Sequence, residues 1–211
     1  MRPFVHVNCA MSADGKIAGA ERKQVSISSD EDKTRVKALR KQYDSVLVGV
    51  GTVIADDPHL TVKGLPYDEN PIRIVLDPNG RTPDDALVVN GNAPTVIVTN
   101  GDCERTWKNV NVIRSGKDID LPDVLDRLSV LGIESILVEG GGETIASFFR
   151  DGLVDRYTVF VGSLIIGGRS APTPVDGEGW ANNGGIGLTL TNTEILGDGA
   201  LLTYVPADRA R

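Results

Sequence analysis

The chain has 211 residues, with 29 acidic against 22 basic side chains and a net charge of -7, and no basic run longer than pairs such as Arg22-Lys23 and Arg40-Lys41. That balance argues against a protein that holds nucleic acid by neutralising phosphates. With no apolar stretch near ~20 residues and no signal-like start, a soluble cytoplasmic chain with no membrane partner is expected.

Apolar residues make up 40 % and aromatics 5 %, so the interior must be built from Val, Ile, Leu and Ala, which suits a sheet flanked by helices. One domain over residues 1–211 is expected. Cys9 and Cys103 stand far apart without CxxC or Cys/His spacing, so neither a disulfide framework nor a metal site is indicated.

Residues 4–9 alternate and are β-rich, which predicts a first strand running into the turn Met11-Ser12-Ala13-Asp14-Gly15-Lys16. Ser28 or Ser29 can cap a helix whose first turn carries Asp30, Glu31 and Asp32, with Val36, Leu39 and Arg40 further along. Residues 45–49 form an apolar strand, followed at once by Gly49-Val50-Gly51-Thr52-Val53, a short helix, and Asp56-Asp57-Pro58-His59-Leu60-Thr61. Strands over 72–77 and 95–99 are closed by Pro78-Asn79-Gly80-Arg81 and Asn100-Gly101, and 110–113 adds another. A helix over 121–131 places Val124, Leu125, Leu128 and Leu131 at helical spacing. A strand over 135–138 leads through Glu139-Gly140-Gly141-Gly142-Glu143 into a helix ending at Phe149. Strands over 157–161, 187–196 and 200–205 follow, the last two joined by Gly197-Asp198-Gly199 as a hairpin. Strand-helix alternation closed by a hairpin predicts an α/β fold: a mixed sheet, helices on both faces, finishing antiparallel.

Three glycine-bearing turns fall at the carboxyl ends of predicted strands, where open α/β sheets place their ligands: 49–52, 78–81 and 140–142. Without Cβ atoms, Gly140, Gly141 and Gly142 would let backbone approach a pyrophosphate, and the helix that follows favours negative charge. Tight packing explains such a run equally well. Neither GxGxxG nor GxxxxGK[ST] occurs, so a dinucleotide would be held in another kind of fold. Arg81 stands where it could pair a 2′-phosphate, or simply be a solvated turn arginine. Asp56-Asp57-Pro58 reads better as a helix-ending turn than as a catalytic dyad. His6 and His59 lack a Ser/His/Asp pattern, and His6 reads as a structural residue within a strand. Arg40 and Lys63 are candidate phosphate ligands, because an acidic protein must concentrate positive charge locally. Asp14 beside Gly15 reads as a residue that shapes its own turn.

These turns in register, from 11–16 through 48–62 and 71–77 to Val138-Glu139-Gly140-Gly141-Gly142, with Gly152-Leu153-Val154-Asp155 and Ile166-Gly167-Gly168 beyond, resemble the riboflavin-biosynthesis reductases over nearly the whole chain. The resemblance implies a dihydrofolate-reductase-like fold and NADPH, with NADH as the alternative carrier. It implies reduction of the ribosyl group of a pyrimidine ribosylamine phosphate to ribityl. The chain is similar to the stand-alone archaeal and fungal type, which acts before deamination on 2,5-diamino-6-ribosylamino-4(3H)-pyrimidinone 5′-phosphate. Asn8 stands where similar bacterial members carry a lysine near the pyrimidine; an amide both donates and accepts, which fits a ring bearing an amino group in place of a carbonyl.

By the same resemblance, Thr52, Asp56, Pro78, Asn79, Gly80, Arg81, Gly140, Gly141, Gly142 and Glu143 match cofactor-contacting positions, and Asn8, Arg40, Leu60, Lys63 and Glu139 match substrate-contacting ones. Lys63 replaces an arginine common in bacterial relatives, leaving a point-charge contact in place of a bidentate clamp. The implied reaction opens the ribosylamine to a Schiff base at C1′, which receives hydride from a donor held about 3 to 3.5 Å away. Asp57, Glu139 and water all remain open as proton donor, and no catalytic residue is assigned. A homodimer is implied, with the late strands and residues 177–187 as its candidate interface. The alternatives are a reductase of the deaminated pyrimidine or of a pterin, and a non-catalytic nucleotide-binding module.

Overall fold

A computed structural model describes residues 1–180 and 184–209, the side chain of Arg209 excepted. In chain order the elements are β1 (Phe4–Ser12), α1 (Asp30–Arg40), β2 (Ser45–Gly49), α2 (Val50–Asp56), β3 (Ile72–Leu76), β4 (Thr95–Thr99), β5 (Asn111–Arg114), α3 (Leu121–Val130), β6 (Ser135–Gly140), α4 (Gly142–Arg150), β7 (Arg156–Gly162), β8 (Leu188–Leu196) and β9 (Gly199–Pro206). The chain divides into two compact units, one of Met1–Phe4 with Lys37–Gly141 and one of Val5–Val36 with Gly142–Arg211.

In the first unit the strands run in the order β5-β4-β3-β2-β6, and every neighbouring pair is parallel. Parallel strands covered on both faces need continuous apolar runs rather than alternation, and Val46-Leu47-Val48 and Ile74-Val75 are all but fully buried. Val46, Val48, Val53, Val75, Ile97 and Leu137 pack into one cluster with Leu60 and Trp107. Gly49 lies opposite Leu76 and Val48 opposite Gly140, so the carboxyl ends of β3, β2 and β6 finish level with one another.

The expected strand-helix alternation fails between β3, β4 and β5, whose links hold no α-helix. Pro78, Pro83 and Pro94 punctuate the first link, where their missing N–H groups would break a helix ladder. The fully buried Arg73 takes over the satisfaction of its carbonyls. Its Nη1 donates to Leu87 O (2.8 Å) and Asn90 Oδ1 (3.1 Å), its Nη2 to Ala93 O (2.7 Å) and its Nε to Thr95 Oγ1 (3.0 Å). Burial lowers the Arg73 pKa to about 10, still charged at neutral pH.

In the second unit β1 runs parallel to β7, and β7, β9 and β8 follow as antiparallel neighbours. Leu196 pairs with Gly199, leaving Gly197-Asp198 as a two-residue hairpin loop, with Gly197 at φ 59 as such tight loops require. The expected antiparallel finish is therefore present. β1 continues to Ser12, past the expected end at Cys9, and confines the turn to 13–16. There Asp14 accepts from the Ser12 hydroxyl (2.5 Å) and from the Ile166 and Gly167 amides (3.1 and 2.7 Å), contacts that hold its carboxyl down at about 2. Asp14 shapes its own turn, as expected. Ser29, not Ser28, caps α1, its hydroxyl accepting from Asp32 N. α3 is an ordinary capped helix, with Asp120 accepting from Asp123 N and Leu121, Val124, Leu125 and Leu128 on the buried face.

Candidate active site

Three of the expected bends lie in the first unit, on three adjacent strands. β2 ends at Gly49 and passes directly into α2, which carries Thr52; β6 ends at Gly140; β3 leads into Pro78-Asn79-Gly80-Arg81. A Cβ added at Gly140 would stand 3.3 Å from Thr52 Oγ1, so glycine is what lets β6 and the first turn of α2 draw close. Gly141 has φ 84, a left-handed conformation that glycine adopts without strain.

The third bend is pinned from below by Asp77, a fully buried carboxylate that the sequence marks only as the end of a strand. Its Oδ1 accepts from Arg81 N (2.8 Å), and its Oδ2 accepts from Thr82 N and Thr82 Oγ1 (2.7 Å each). Gly80, at φ 65, completes the bend, and the turn leaves the Arg81 side chain exposed. Among the described residues the Arg81 guanidinium makes no ion pair.

Arg40 and Glu139, expected separately as substrate contacts, hold each other. Nε donates to Oε1 at 2.8 Å and Nη2 to Oε2 at 2.5 Å, in a fork with the side chains 20 % and 9 % exposed. Burial works to lower the Arg40 pKa, but the Glu139 hydrogen bonds and charge more than offset it and the pKa rises. Arg40 is therefore a neutralised cation, and the exposed Lys63 is the less encumbered of the two expected phosphate ligands.

The Leu60 side chain is 2 % exposed and part of the apolar cluster, so it turns inward, which leaves its backbone as the part that a substrate would meet. Its backbone sits at φ 52, as Asp57 does at φ 40, an uncommon conformation for residues with a Cβ. Asp57 terminates α2, its N–H returning to Val53 O and its Oδ1 accepting from Leu87 N (2.8 Å). The Asp56-Asp57-Pro58 segment is thus a helix end, as expected, with the exposed Asp56 as its last helical residue.

In the second unit α4 begins at Gly142, two residues earlier than expected, and Glu143 is exposed in its first turn. A Cβ at Gly142 would meet Thr173 O at 2.6 Å and Asp176 Cβ at 2.7 Å. Close packing, rather than approach to an anion, accounts for this third glycine.

Asn8, also in the second unit, is 4 % exposed, and its surroundings correct the donor-and-acceptor argument. Its Oδ1 already accepts from Arg35 Nη2 (2.8 Å) and from Thr158 Oγ1 (2.9 Å), so only the Nδ2 donor is left over. Thr158 Oγ1 lies 2.8 Å from His6 Nε2, and since the hydroxyl proton goes to Asn8, His6 must be the donor. Burial first, and the charges of Arg156 and Arg35 after it, push the His6 pKa down to about 3, leaving a neutral imidazole. Arg35 in turn holds Asp32 through Nε (2.9 Å) and Nη2 (2.8 Å), both to Oδ1. Asp32, Arg35 and Thr158 do not stand out in the sequence as parts of this network. The i,i+3 spacing of Asp32 and Arg35 is readable there, but an ion pair on a helix surface has the same spacing. Cys9 faces Tyr157 Oη at 3.5 Å, and burial pushes its thiol up to about 11, so it is protonated and unreactive.

With these arrangements described, comparison with known proteins places the chain. The family model for the RibD C-terminal domain matches residues 3–202. The chain belongs to that family. Members of this riboflavin-biosynthesis family are reductases, and the chain is an oxidoreductase. A protein from Methanothermobacter thermautotrophicus named 2,5-diamino-6-ribosylamino-4(3H)-pyrimidinone 5′-phosphate reductase is 41 % identical, the match covering 97 % of this chain and 98 % of that one. The crystal structure of a diaminohydroxyphosphoribosylaminopyrimidine deaminase/5-amino-6-(5-phosphoribosylamino)uracil reductase from Thermotoga maritima superposes with a TM-score of 0.81 at 27 % identity, over 98 % of this chain and 57 % of that one. The fold extends to dihydrofolate reductase from Enterococcus faecalis, with a TM-score of 0.56 at 12 % identity over 97 % of each chain. The expected fold class is thereby met. Among the described residues no helix is long and apolar enough to cross a membrane.

Proposed function

We propose that the chain, as one reductase domain over residues 1–211, uses NADPH to reduce the ribosyl group of 2,5-diamino-6-ribosylamino-4(3H)-pyrimidinone 5′-phosphate to ribityl, in the cytoplasm. The observation that carries this reading is the level finish of β3, β2 and β6 with Arg81, Thr52, Gly140 and Gly141 at their carboxyl ends, taken with the relative that shares 41 % of its sequence. The residues fit a phosphorylated dinucleotide. Gly141 offers backbone without a Cβ at φ 84, and the Asp77-pinned turn presents an exposed arginine free of a carboxylate among the described residues. Arg81 would hold the 2′-phosphate, and Thr52, Asp56, Pro78, Asn79, Gly80, Gly140 and Gly141 the remainder. NADPH, when bound, supplies the hydride.

Lys63 would meet the substrate phosphate as a point charge, while Arg40 acts mainly by fixing the Glu139 carboxylate in place. Glu139 held in this way is the proton-handling group that the geometry favours over the exposed Asp57. The chain is further proposed to pair with a second copy. β8 supports this: it exposes Leu188, Leu190 and Ile195 along an edge strand. Of the segment 177–187 expected at such an interface, residues 181–183 lie outside the described residues.

The test is NADPH oxidation on adding the diaminopyrimidine ribosylamine phosphate, with its deaminated uracil counterpart and a pterin in parallel. Arg81→Ala is expected to raise the KM for NADPH by ~10-fold or more while leaving that for NADH nearly unchanged, since a lost charge-assisted phosphate contact acts on one cofactor only. Equal loss for both cofactors refutes the role of Arg81. Absence of turnover with every substrate leaves the binding-module reading.

A further inference from the structure

The peptide plane between Gly80 and Arg81 is gripped on both edges, and one of the two grips comes from a second arginine further along the chain. The N–H of this plane, that of Arg81, is accepted by Oδ1 of the fully buried Asp77 at 2.8 Å, and its carbonyl, that of Gly80, accepts from Arg105 Nη1. A peptide unit is rigid and planar, so holding both edges fixes its orientation. The plane follows Gly80 at φ 65, a residue whose freedom would otherwise let it turn over at little cost. Arg105 lies across this bend: a Cβ added at Gly80 would stand 3.2 Å from Arg105 Cβ and 3.3 Å from its Cδ. Arg105 is itself held, with its guanidinium carbon 4.9 Å from the centre of the Trp107 ring and Nη2 donating to Asp84 Oδ1 at 2.9 Å. The buried Trp107 donates from Nε1 to Thr82 O at 3.0 Å, so residues 105–107 clamp the loop at three places. Asp84 is 81 % exposed, and its ion pair contributes little by itself; the guanidinium bond to the Gly80 carbonyl is the charge-assisted contact on the bend.

We propose that Arg105 is a positioning residue for cofactor choice: by holding the Gly80 carbonyl it fixes the plane from which Arg81 departs, and so aims the Arg81 guanidinium at the 2′-phosphate that distinguishes NADPH from NADH. The inference rests on the reductase reading above, and on the role of Arg81 within it, and names the residue that sets how strongly that role is expressed. The Arg81 side chain is exposed and makes no ion pair among the described residues, so the backbone is what directs it. Turning the Gly80–Arg81 plane would swing the Cα–Cβ bond of Arg81, and a misplacement of about 1 Å in an orienting group is enough to cost a large part of its effect. Both bonds of the Arg105 guanidinium go to oxygens of the protein itself, at Gly80 and Asp84. Arg105 therefore acts through Arg81 and not on the phosphate. The loss of its grip should be felt by the 2′-phosphate alone, because the other parts of a dinucleotide are common to both cofactors.

The experiment measures binding of 2′,5′-ADP and 5′-AMP to the full chain by calorimetry, and kcat and KM for NADPH and NADH with the diaminopyrimidine substrate. Arg105→Met and Arg105→Ala both remove the donor, the first keeping the stem that covers Gly80, and thermal melting reports which of them folds as the unaltered protein does. Either is expected to lower the preference for 2′,5′-ADP over 5′-AMP, and for NADPH over NADH, by ~3–10-fold, with the change in KM and not in kcat. Arg105→Lys keeps a charged donor for the Gly80 carbonyl and should recover part of the preference. Asp84→Asn leaves that bond in place and should hold the preference within about twofold. In an Arg81→Ala background the removal of Arg105 should change the preference by less than about twofold, since no guanidinium is left to aim. Equal losses for both nucleotides would make Arg105 a support of the whole bend and overturn the proposal. A further fall in preference on removing Arg105 from the Arg81→Ala protein overturns it as well, because Arg105 would then meet the phosphate itself. A preference for 2′,5′-ADP that survives the loss of Arg105 rejects this proposal alone. An unaltered protein that shows no such preference and oxidises neither cofactor rejects the reductase reading, and the role of Arg105 with it.

Discussion

The two units carry their functional residues in different ways. In the first, the candidate cofactor bends are made of backbone: Gly140, Gly141 and Gly80 supply conformations and close approaches, and one buried aspartate, Asp77, secures a turn through three short hydrogen bonds. In the second, the buried polar network is made of side chains, linked from His6 through Thr158, Asn8 and Arg35 to Asp32, with partners up to 152 residues apart in sequence. A backbone bend tolerates many neighbours but few substitutions at its glycines, whereas a side-chain relay depends on every member having the right number of protons. The difference predicts where each unit should break.

The largest effect is expected at an ion pair of the first unit. Arg40→Ala leaves the Glu139 carboxylate, 9 % exposed, without its fork. Stripping one partner from a largely buried pair costs about 3 kcal/mol, which urea denaturation would read. The cost should arise from the stranded carboxylate rather than from the lost arginine, so Arg40→Ala/Glu139→Gln should recover part of the loss. A double variant less stable than Arg40→Ala would show that the pair does something other than neutralise itself.

The second unit should reveal itself through pH. The His6 pKa falls from 6.5 to about 3 on folding, so between those values the unfolded chain binds the extra proton and the folded chain does not. Stability supplied by neutral His6 is therefore fully present above pH 6.5 and is lost as the pH falls towards 3. Between pH 6.5 and 5 the loss amounts to ~2 kcal/mol if the folded imidazole stays neutral throughout. His6→Gln keeps a donor towards Thr158 but cannot take up a proton, so its stability should fall by about that much less over the same interval. Parallel pH profiles for the two proteins would mean that His6 remains solvated and that the proton relay does not hold as drawn.

The same contrast explains what can be read from the sequence. Glycines, prolines and strand-ending turns are local signals, and 49–52, 78–81 and 140–142 are legible as bends from residue type alone, at the ends of strands that exist. The C-terminal hairpin is legible for the same reason, since Gly197-Asp198-Gly199 specifies its own turn. The inward turn of Leu60 is not, because a positive φ at a leucine is imposed by tertiary packing and leaves no local mark. Nor is the orientation of the Asn8 amide, which depends on an arginine 27 residues away and a threonine 150 residues away. Asp32 is visible only as one of three acidic residues opening a helix, all serving the helix dipole equally well; burial alone separates it from Asp30 and Glu31.

The smallest effect is the most selective. Gly141 and Gly51 are two residues of the same type on the same rim of the first unit, with different reasons to be glycine. Gly141 has φ 84, where an L side chain is strained; Gly51 lies inside α2 with a negative φ and nothing within 4 Å of an added Cβ. Gly141→Ala should cost about 1 kcal/mol of stability and should also weaken NADPH binding, because the new methyl group blocks close approach of backbone to phosphate. Gly51→Ala should raise stability by ~0.5–1 kcal/mol, the ordinary gain for alanine in a helix, and leave the cofactor dissociation constant within twofold. If both variants shift stability in the same direction, backbone conformation is not what distinguishes the two glycines. If Gly141→Ala loses stability yet binds NADPH unchanged, the bend is a structural feature of the β6 terminus and the cofactor lies elsewhere on that rim.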